Sequence, residues 1–279
     1  MTTESNKHLD NIRIAFIGCG VMAESIIAGL LRQNLVTPEQ ITGSHPRAAR
    51  REELETRYGI RMVEKNRDAV EGEVDLVVLA VKPQRLHVVL SELRGALGAG
   101  NLVLSIIAGA RIETIAKDLA HSTIVRAMPN TPAQIGEGIT VWVATPEVSD
   151  DQRSRIQTLL GALGREMSVE TERMIDMATA LSATGPTYVF LVMEALVDAG
   201  VHMGFSRHVA QELVTQTILG SVLFARESQK HPAELRNMVT SPGGTSAEAI
   251  YQMEKGSLRT VLSKAVYAAF QRAVALGKS

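Results

Sequence analysis

Hydrophobic residues come in short unbroken runs through the first part of the chain, alternating with stretches of helical spacing. IRIAFIG precedes VMAESIIAGLLRQ, VDLVVLAV precedes QRLHVVLSELRGAL, and NLVLSIIAG precedes RIETIAKDL. Strands apolar at consecutive positions are buried on both faces, which predicts a parallel sheet covered by helices, a doubly wound α/β domain. STIVRAMP and GITVWVATP then follow one another without a full helix between them, so the far edge of the sheet departs from simple alternation. After about Thr171 the β-rich bursts stop and long helical segments continue to Ser279. The pattern divides the chain into residues 1–170, with a polar tail over 1–11, and an all-helical part over 171–279. Within the helical part, PTYVFLVMEALVDAGVHM (186–203) is apolar almost all round, broken only by Glu194, Asp198 and His202. Such a helix needs cover on every side. A second copy of the chain is the favoured cover, the alternative being the centre of a monomeric bundle.

Composition narrows the function classes. Twenty-nine basic against 30 acidic residues leave a net charge of -1, so no electrostatic footprint for nucleic acid or an anionic membrane is present. The single cysteine, Cys19, excludes an internal disulfide and a Cys-rich metal site and suits a reducing compartment. The first eleven residues lack the apolar core of a signal peptide, and no stretch is read as approaching the roughly 18 apolar residues of a membrane span. The expectation is a soluble, cytoplasmic protein. His202, His208 and His231 have no metal-site spacing, and no metal is expected.

The first candidate site is IRIAFIGCGVMAES, which sets Gly18, Gly20 and Ala23 at G-x-G-x-x-A spacing directly after a strand and at a helix start. Gly18 permits the tight turn, Gly20 lets a pyrophosphate approach the backbone, and Ala23 allows close helix-to-strand packing. With the βαβ alternation around it, this predicts a Rossmann-type dinucleotide site contacted by Gly18, Gly20, Val21 and Met22; the bland alternative is a structural βα turn. Cys19 reads as a small filler. The second strand should end in an acidic residue if the dinucleotide were NAD. Here the chain reads ITGSHPRAARREEL, with Ser44, His45, Arg47, Arg50 and Arg51 and no acid until Glu52. A hydroxyl and guanidinium groups suit a 2'-phosphate, so NADPH is expected over NADH.

A second anion site is suggested far downstream by SPGGTSAEAI (241–250). Gly243 and Gly244 free the backbone to approach a ligand, and a helix beginning near Thr245 aims its N–H groups and positive dipole end there. An ordinary helix cap is the alternative.

VKPQ (81–84), RAMPNTPAQIGEGIT (126–140), LSATGPTYVFLVMEALVDAGVHMG (181–204) and HPAELRNMVTSPGGTSAEAI (231–250) together resemble the pyrroline-5-carboxylate reductases, and the resemblance runs from Ile12 through nearly the whole chain. It implies a Rossmann domain followed by a helical dimerisation domain, commonly with the dimers joined in a ring. The implied activity is reduction of the C=N bond of 1-pyrroline-5-carboxylate to L-proline with NADPH or NADH. By the same resemblance Val81, Lys82, Pro83 and Ala108 line the nicotinamide end, Asn66 contacts the adenosine ribose, and Lys82 joins Ser246 at the reacting centre. MPNTP is either a loop under the nicotinamide or a structural turn. Ser241, Gly243, Gly244 and Thr245 would hold the substrate carboxylate, and the Ser246 hydroxyl, where the family often has threonine, would meet the ring nitrogen. A β-hydroxyacid dehydrogenase shares the two-domain plan but needs a catalytic lysine on its first long carboxy-terminal helix; residues 171–229 contain none. A non-catalytic NADP-binding regulator would have no use for the second anion site.

Overall fold

The structure is a computed structural model that describes residues 9–277, so residues 1–8 of the expected polar tail lie outside the described residues. Packing gives two compact units, one of residues up to Thr184 together with those from Ala269 onward, the other Gly185–Ala268.

In the first unit one eight-stranded sheet has the order β3-β2-β1-β4-β5-β6-β7-β8. The strands are β1 Ile14–Ile17, β2 Ile41–Ser44, β3 Arg61–Val63, β4 Leu76–Leu79, β5 Leu102–Ser105, β6 Ile124–Met128, β7 Gly138–Ala144 and β8 Gly164–Ser168. Neighbours run parallel except β6 and β7, which are antiparallel, and this is the expected departure at the far edge. Alternate strand residues feed two cores. Ile14, Phe16, Val78 and Leu104 pack with Ile26, Ile27 and Leu30 of α1 (Val21–Arg32) and with Ile156 and Leu160 of α5 (Asp150–Gly161). Ala15, Ile17, Val77 and Val103 face the other way, onto α3 (Leu86–Leu93) and α4 (Ile112–Leu119). The strand order reverses between β1 and β4, and in a doubly wound sheet the cleft at the strand carboxyl ends opens there.

The strands end at Ser168, whereas packing carries the first unit through α6 (Glu172–Ala178) to Thr184. Ile175 of α6 joins Met128, Val141 and Val143 in a small core on β6 and β7. Beside it Arg126, 1% exposed, is bound by Asp176 at 2.8 Å and Glu172 at 2.9 Å, and Arg111 adds a third ion pair to Asp176 at 3.0 Å. Glu172 also accepts the Ile112 N–H at the start of α4.

The second unit holds α7 (Gly185–His202), α8 (Arg207–Ser228), α9 (Pro232–Met238), α10 (Thr245–Lys255) and most of α11 (Leu258–Leu276). Where α7 meets α8, Gly200 lies so near Ala210 that a Cβ on it would sit 3.0 Å from the alanine methyl. The expectation that no stretch reaches membrane-spanning length is corrected: Glu172–His202 form one helical stretch of 31 residues with a mean hydropathy of 1.4 over an 18-residue window, enough by length and composition alone. α7 begins at Gly185–Pro186, directly after a bend at Thr184. A π-helical turn over Thr179–Ala183 precedes it, closed by the Thr184 N–H on the Thr179 carbonyl. Pro186 has no N–H for the Ser182 carbonyl one turn back, and the Asn130 side chain donates to that carbonyl instead, at 3.3 Å.

Candidate functional site

The glycine turn sits where the motif requires. Gly18 leaves β1 with φ +88°, and a Cβ on it would lie 2.6 Å from Val81 Cγ1, so both conformation and space exclude a side chain. Gly20 differs. It is the amino-terminal cap residue of α1, φ is an ordinary -79°, and a Cβ there would meet no atom within 4 Å. Neither the backbone nor the packing calls for glycine at position 20, and what a side chain would obstruct is the open space beside the helix start. That is the fit a pyrophosphate needs. Ala23 is fully buried against the core, as its spacing suggests. Val21 is exposed and Met22 partly buried at the first two helical positions. Cys19 points inward, and burial pushes its thiol up to about 12, which suits a filler and not a nucleophile.

Gly18, Gly20, His45, Asn66, Val81 and Lys82 line one cleft of about 710 Å³. Lys82 precedes a 3-10 turn that Pro83 begins, after β4. Ser44 stands behind the wall: it is fully buried, donates to Asn66 Oδ1 at 2.8 Å and accepts the Gly18 N–H at 3.3 Å. Asn66 in turn donates to Glu92 at 2.6 Å. The basic residues after β2 divide by engagement. Arg50 is held by Glu24 and Glu53, while Arg51 donates to the carbonyls of His45 and Pro46. The Arg47 guanidinium has no ion pair or hydrogen bond among the described residues and stands exposed at the start of α2 (Ala48–Tyr58). His45 Nδ1 accepts the Arg47 backbone N–H, and burial, with the charges of Arg47, Arg50 and Arg51 adding to it, holds the imidazole below its ordinary range. Lys65 and Arg67, flanking Asn66, also line the cleft. The sequence reading passed over them, although a basic residue on either side of Asn66 was the available signal. Ala108 follows β5, packed against the small core of Met128 and Val141, and is not among the residues lining this cleft. In MPNTP, Asn130 ties the Ile139 N–H and the Ser182 carbonyl, so the loop has a structural task.

In the second unit Ser241–Ser246 form one turn entering α10. Gly243 has φ +68°, left-handed, and Gly244 caps the helix with no side-chain hydrogen bond. A Cβ on Gly244 would lie 2.7 Å from Ser241 Oγ, so a side chain there would require the serine hydroxyl to turn aside. Ser246 is the second helical residue and not the cap, and no hydrogen bond among the described residues engages its hydroxyl or that of Thr245. The ordinary capping account of these hydroxyls therefore does not apply here.

Many large apolar residues of this unit face outward. Phe190 and Leu191 on α7 are 62% and 65% exposed, and Val222 and Phe224 on α8, with Val261 on α11, are exposed as well.

Comparison with known proteins gives a consistent result. Residues 172–276 match the family model described as pyrroline-5-carboxylate reductase dimerisation, and residues 13–109 match the one described as NADP oxidoreductase coenzyme F420-dependent. The pyrroline-5-carboxylate reductase of Synechocystis sp. is 40% identical over 269 residues, 96% of this chain and 99% of the relative. That of Pseudomonas aeruginosa is 40% identical over 267 residues, 95% of this chain and 97% of its own. Among solved structures, the Plasmodium falciparum pyrroline carboxylate reductase with NADP bound superposes with a TM-score of 0.88 at 31% identity, over 96% of this chain and 99% of that one. The shared architecture is a mostly parallel sheet with a helical carboxy-terminal part, and agreement at this identity over almost the full length of both partners places the chain in the pyrroline-5-carboxylate reductase family.

Proposed function

We propose that this protein reduces 1-pyrroline-5-carboxylate to L-proline, the last step of proline biosynthesis, with NADPH preferred over NADH. One observation carries the reading: α1 and α10 both begin at a glycine cap with no side chain on the helix end, Gly20 in one unit and Gly244 in the other. Each leaves an open, positively polarised helix start for an anion, one for a dinucleotide pyrophosphate and one for a small carboxylate. The bound nicotinamide supplies the hydride. The chain's own residues have the remaining tasks. Gly18, Gly20, Val21 and Met22 seat the pyrophosphate; Asn66 and Arg47 hold the ribose and its 2'-phosphate; Val81, Lys82, Pro83 and Ala108 border the nicotinamide, with Lys82 beside the reacting centre. Ser241, Gly243, Gly244 and Thr245 take the carboxylate. The Ser246 hydroxyl accepts from the protonated ring nitrogen and holds it while the electron pair of the C=N bond returns to nitrogen. The imine carbon is electrophilic once the ring nitrogen is protonated, so alignment and exclusion of water supply most of the catalysis.

The protein is an oligomer, as the match to a dimerisation family and the exposed apolar surface of α7 and α8 indicate. A homodimer whose helical parts cover one another, joined into a higher ring, is the assembly we infer, with that cover in place of a membrane. Cytoplasmic location accords with the single buried cysteine.

Ser246→Ala tests the substrate end. Loss of a contact to a charged group should lower turnover about 5- to 150-fold. Because the residue is not the helix cap, the thermal midpoint should stay close to the parent's, and Ser246→Thr should retain activity. Unchanged turnover in the alanine variant would remove Ser246 from the mechanism. Arg47→Glu tests the cofactor preference: the KM for NADPH should rise about 10- to 150-fold while that for NADH changes little. A parent enzyme with equal kcat/KM for the two dinucleotides would overturn the preference.

A further inference from the structure

From sequence, Arg50 belongs with the basic residues that suit a 2'-phosphate, but its surroundings point elsewhere. Its side chain is 13% exposed, and each of its three nitrogens has a partner. Nε donates to the Cys19 carbonyl at 3.2 Å, one terminal nitrogen to Glu24 at 2.5 Å, and the other to Glu53 at 2.8 Å. Glu24 lies in the first turn of α1 and also receives Arg57 at 2.6 Å and Tyr58 at 2.9 Å. Burial opposes ionisation of Glu24, but the hydrogen bonds from Arg50, Tyr58 and Arg57 outweigh it and hold the carboxyl below its usual range. The clamp is therefore charged on both sides and joins α2 to the start of α1.

Its third contact bears on the glycine turn. In a trans peptide the C=O and the following N–H point in opposite directions. With the Cys19 carbonyl drawn toward α2 by Arg50, the Gly20 N–H of the same peptide is turned away from α2, at a residue that lines the cleft. The neighbouring groups are already used: the Gly18 N–H goes to Ser44 Oγ, the Cys19 N–H to the Ser44 carbonyl, and the Gly20 carbonyl accepts from the backbone N–H of Glu24. We propose that Arg50 is a positioning residue which, braced by Glu24, fixes the Cys19–Gly20 peptide so that its N–H serves the pyrophosphate of either dinucleotide, and that it takes no part in reading the 2'-phosphate. The proposal rests on the reading that the glycine turn holds the dinucleotide.

Dissociation constants of the full-length protein for NADPH and NADH, measured by the fluorescence of the reduced nicotinamide without substrate, test it. Arg50→Gln should weaken both by the same factor, about tenfold for a peptide no longer held in place, while Arg47→Glu weakens NADPH alone. Arg50→Lys, which keeps the charge but cannot reach carbonyl and carboxylate together, should show a smaller loss, again shared. Should Arg50→Gln not fold, Glu24→Gln loosens the same clamp and should give a shared loss of its own. A loss confined to NADPH in the Arg50 or Glu24 variants, or no loss in either, overturns the proposal. Gly20→Val, its thermal midpoint compared with the parent's, separates the premise: a Cβ at this position meets no protein atom within 4 Å. If that variant still binds both dinucleotides as the parent does, the glycine-turn reading itself fails; if it loses both while Arg50→Gln binds normally, only the role given to Arg50 fails.

Discussion

Leu191→Asp is expected to leave no soluble, active enzyme. In the single chain Leu191 is 65% exposed and its neighbour Phe190 62%, on a helix in which only Val197 and Gly200 are buried. Burying one leucine contributes about 1.5 to 3 kcal/mol, and a two-fold interface counts the change twice. Placing two carboxylates in that interface adds a desolvation cost of several kcal/mol for each. Together these exceed the roughly 4 kcal/mol that separates a nanomolar from a micromolar dimer. Light scattering should report monomer or aggregate, and the reductase assay should report none of the parent's turnover. A stable, fully active monomer would show that the apolar face of α7 needs no partner.

Arg126→Met should be the most destabilising change in the first unit. It leaves Asp176, 1% exposed, with Arg111 as its one remaining ion pair among the described residues and removes a partner of Glu172. Breaking a buried pair by deleting one member costs about 3 to 5 kcal/mol, which for a chain of this size lowers the thermal midpoint by about 10 °C. Replacing Asp176 by leucine in the same protein should recover part of the loss, because the stranded carboxylate is then gone. A single variant within about 1 kcal/mol of the parent would show that solvent reaches the site.

The sequence announced those features whose signal is local. Ile14–Ile17 and Leu76–Leu79 are buried at every position, so unbroken apolar runs marked them as central parallel strands, and the glycine turn followed from its place after the first. β3 and β8 gave no such run, because edge strands shield one side at most: RMV buries one residue, and GREMS leaves Met167 half exposed. Pairings across long separations were invisible. Nothing in STIVRAMP says that its arginine is fully buried, because its partner Asp176 lies 50 residues on. Ser44 and Arg50 have the residue types a phosphate site uses, yet one hydroxyl is committed to Asn66 and one guanidinium to Glu24. Of that cluster the unengaged Arg47 keeps the candidate role, and only coordinates could choose among the arginines.

The end of α11 belongs to the first unit, where Leu276 lies so close to Gly109 that a Cβ on the glycine would sit 2.9 Å from the leucine's. During synthesis the stretch from β1 to α6 leaves the ribosome well before residues 269–277, with the whole helical unit in between. The loop after β5 therefore waits for its packing partner while everything else around the sheet is already available. At about 5 to 20 residues per second, the roughly 90 residues after Thr184 impose a delay on the order of 5 to 20 s. Throughout that interval Gly109 lacks the cover of Leu276, and the loop that carries Ala108 gains it only when the last turns of α11 arrive.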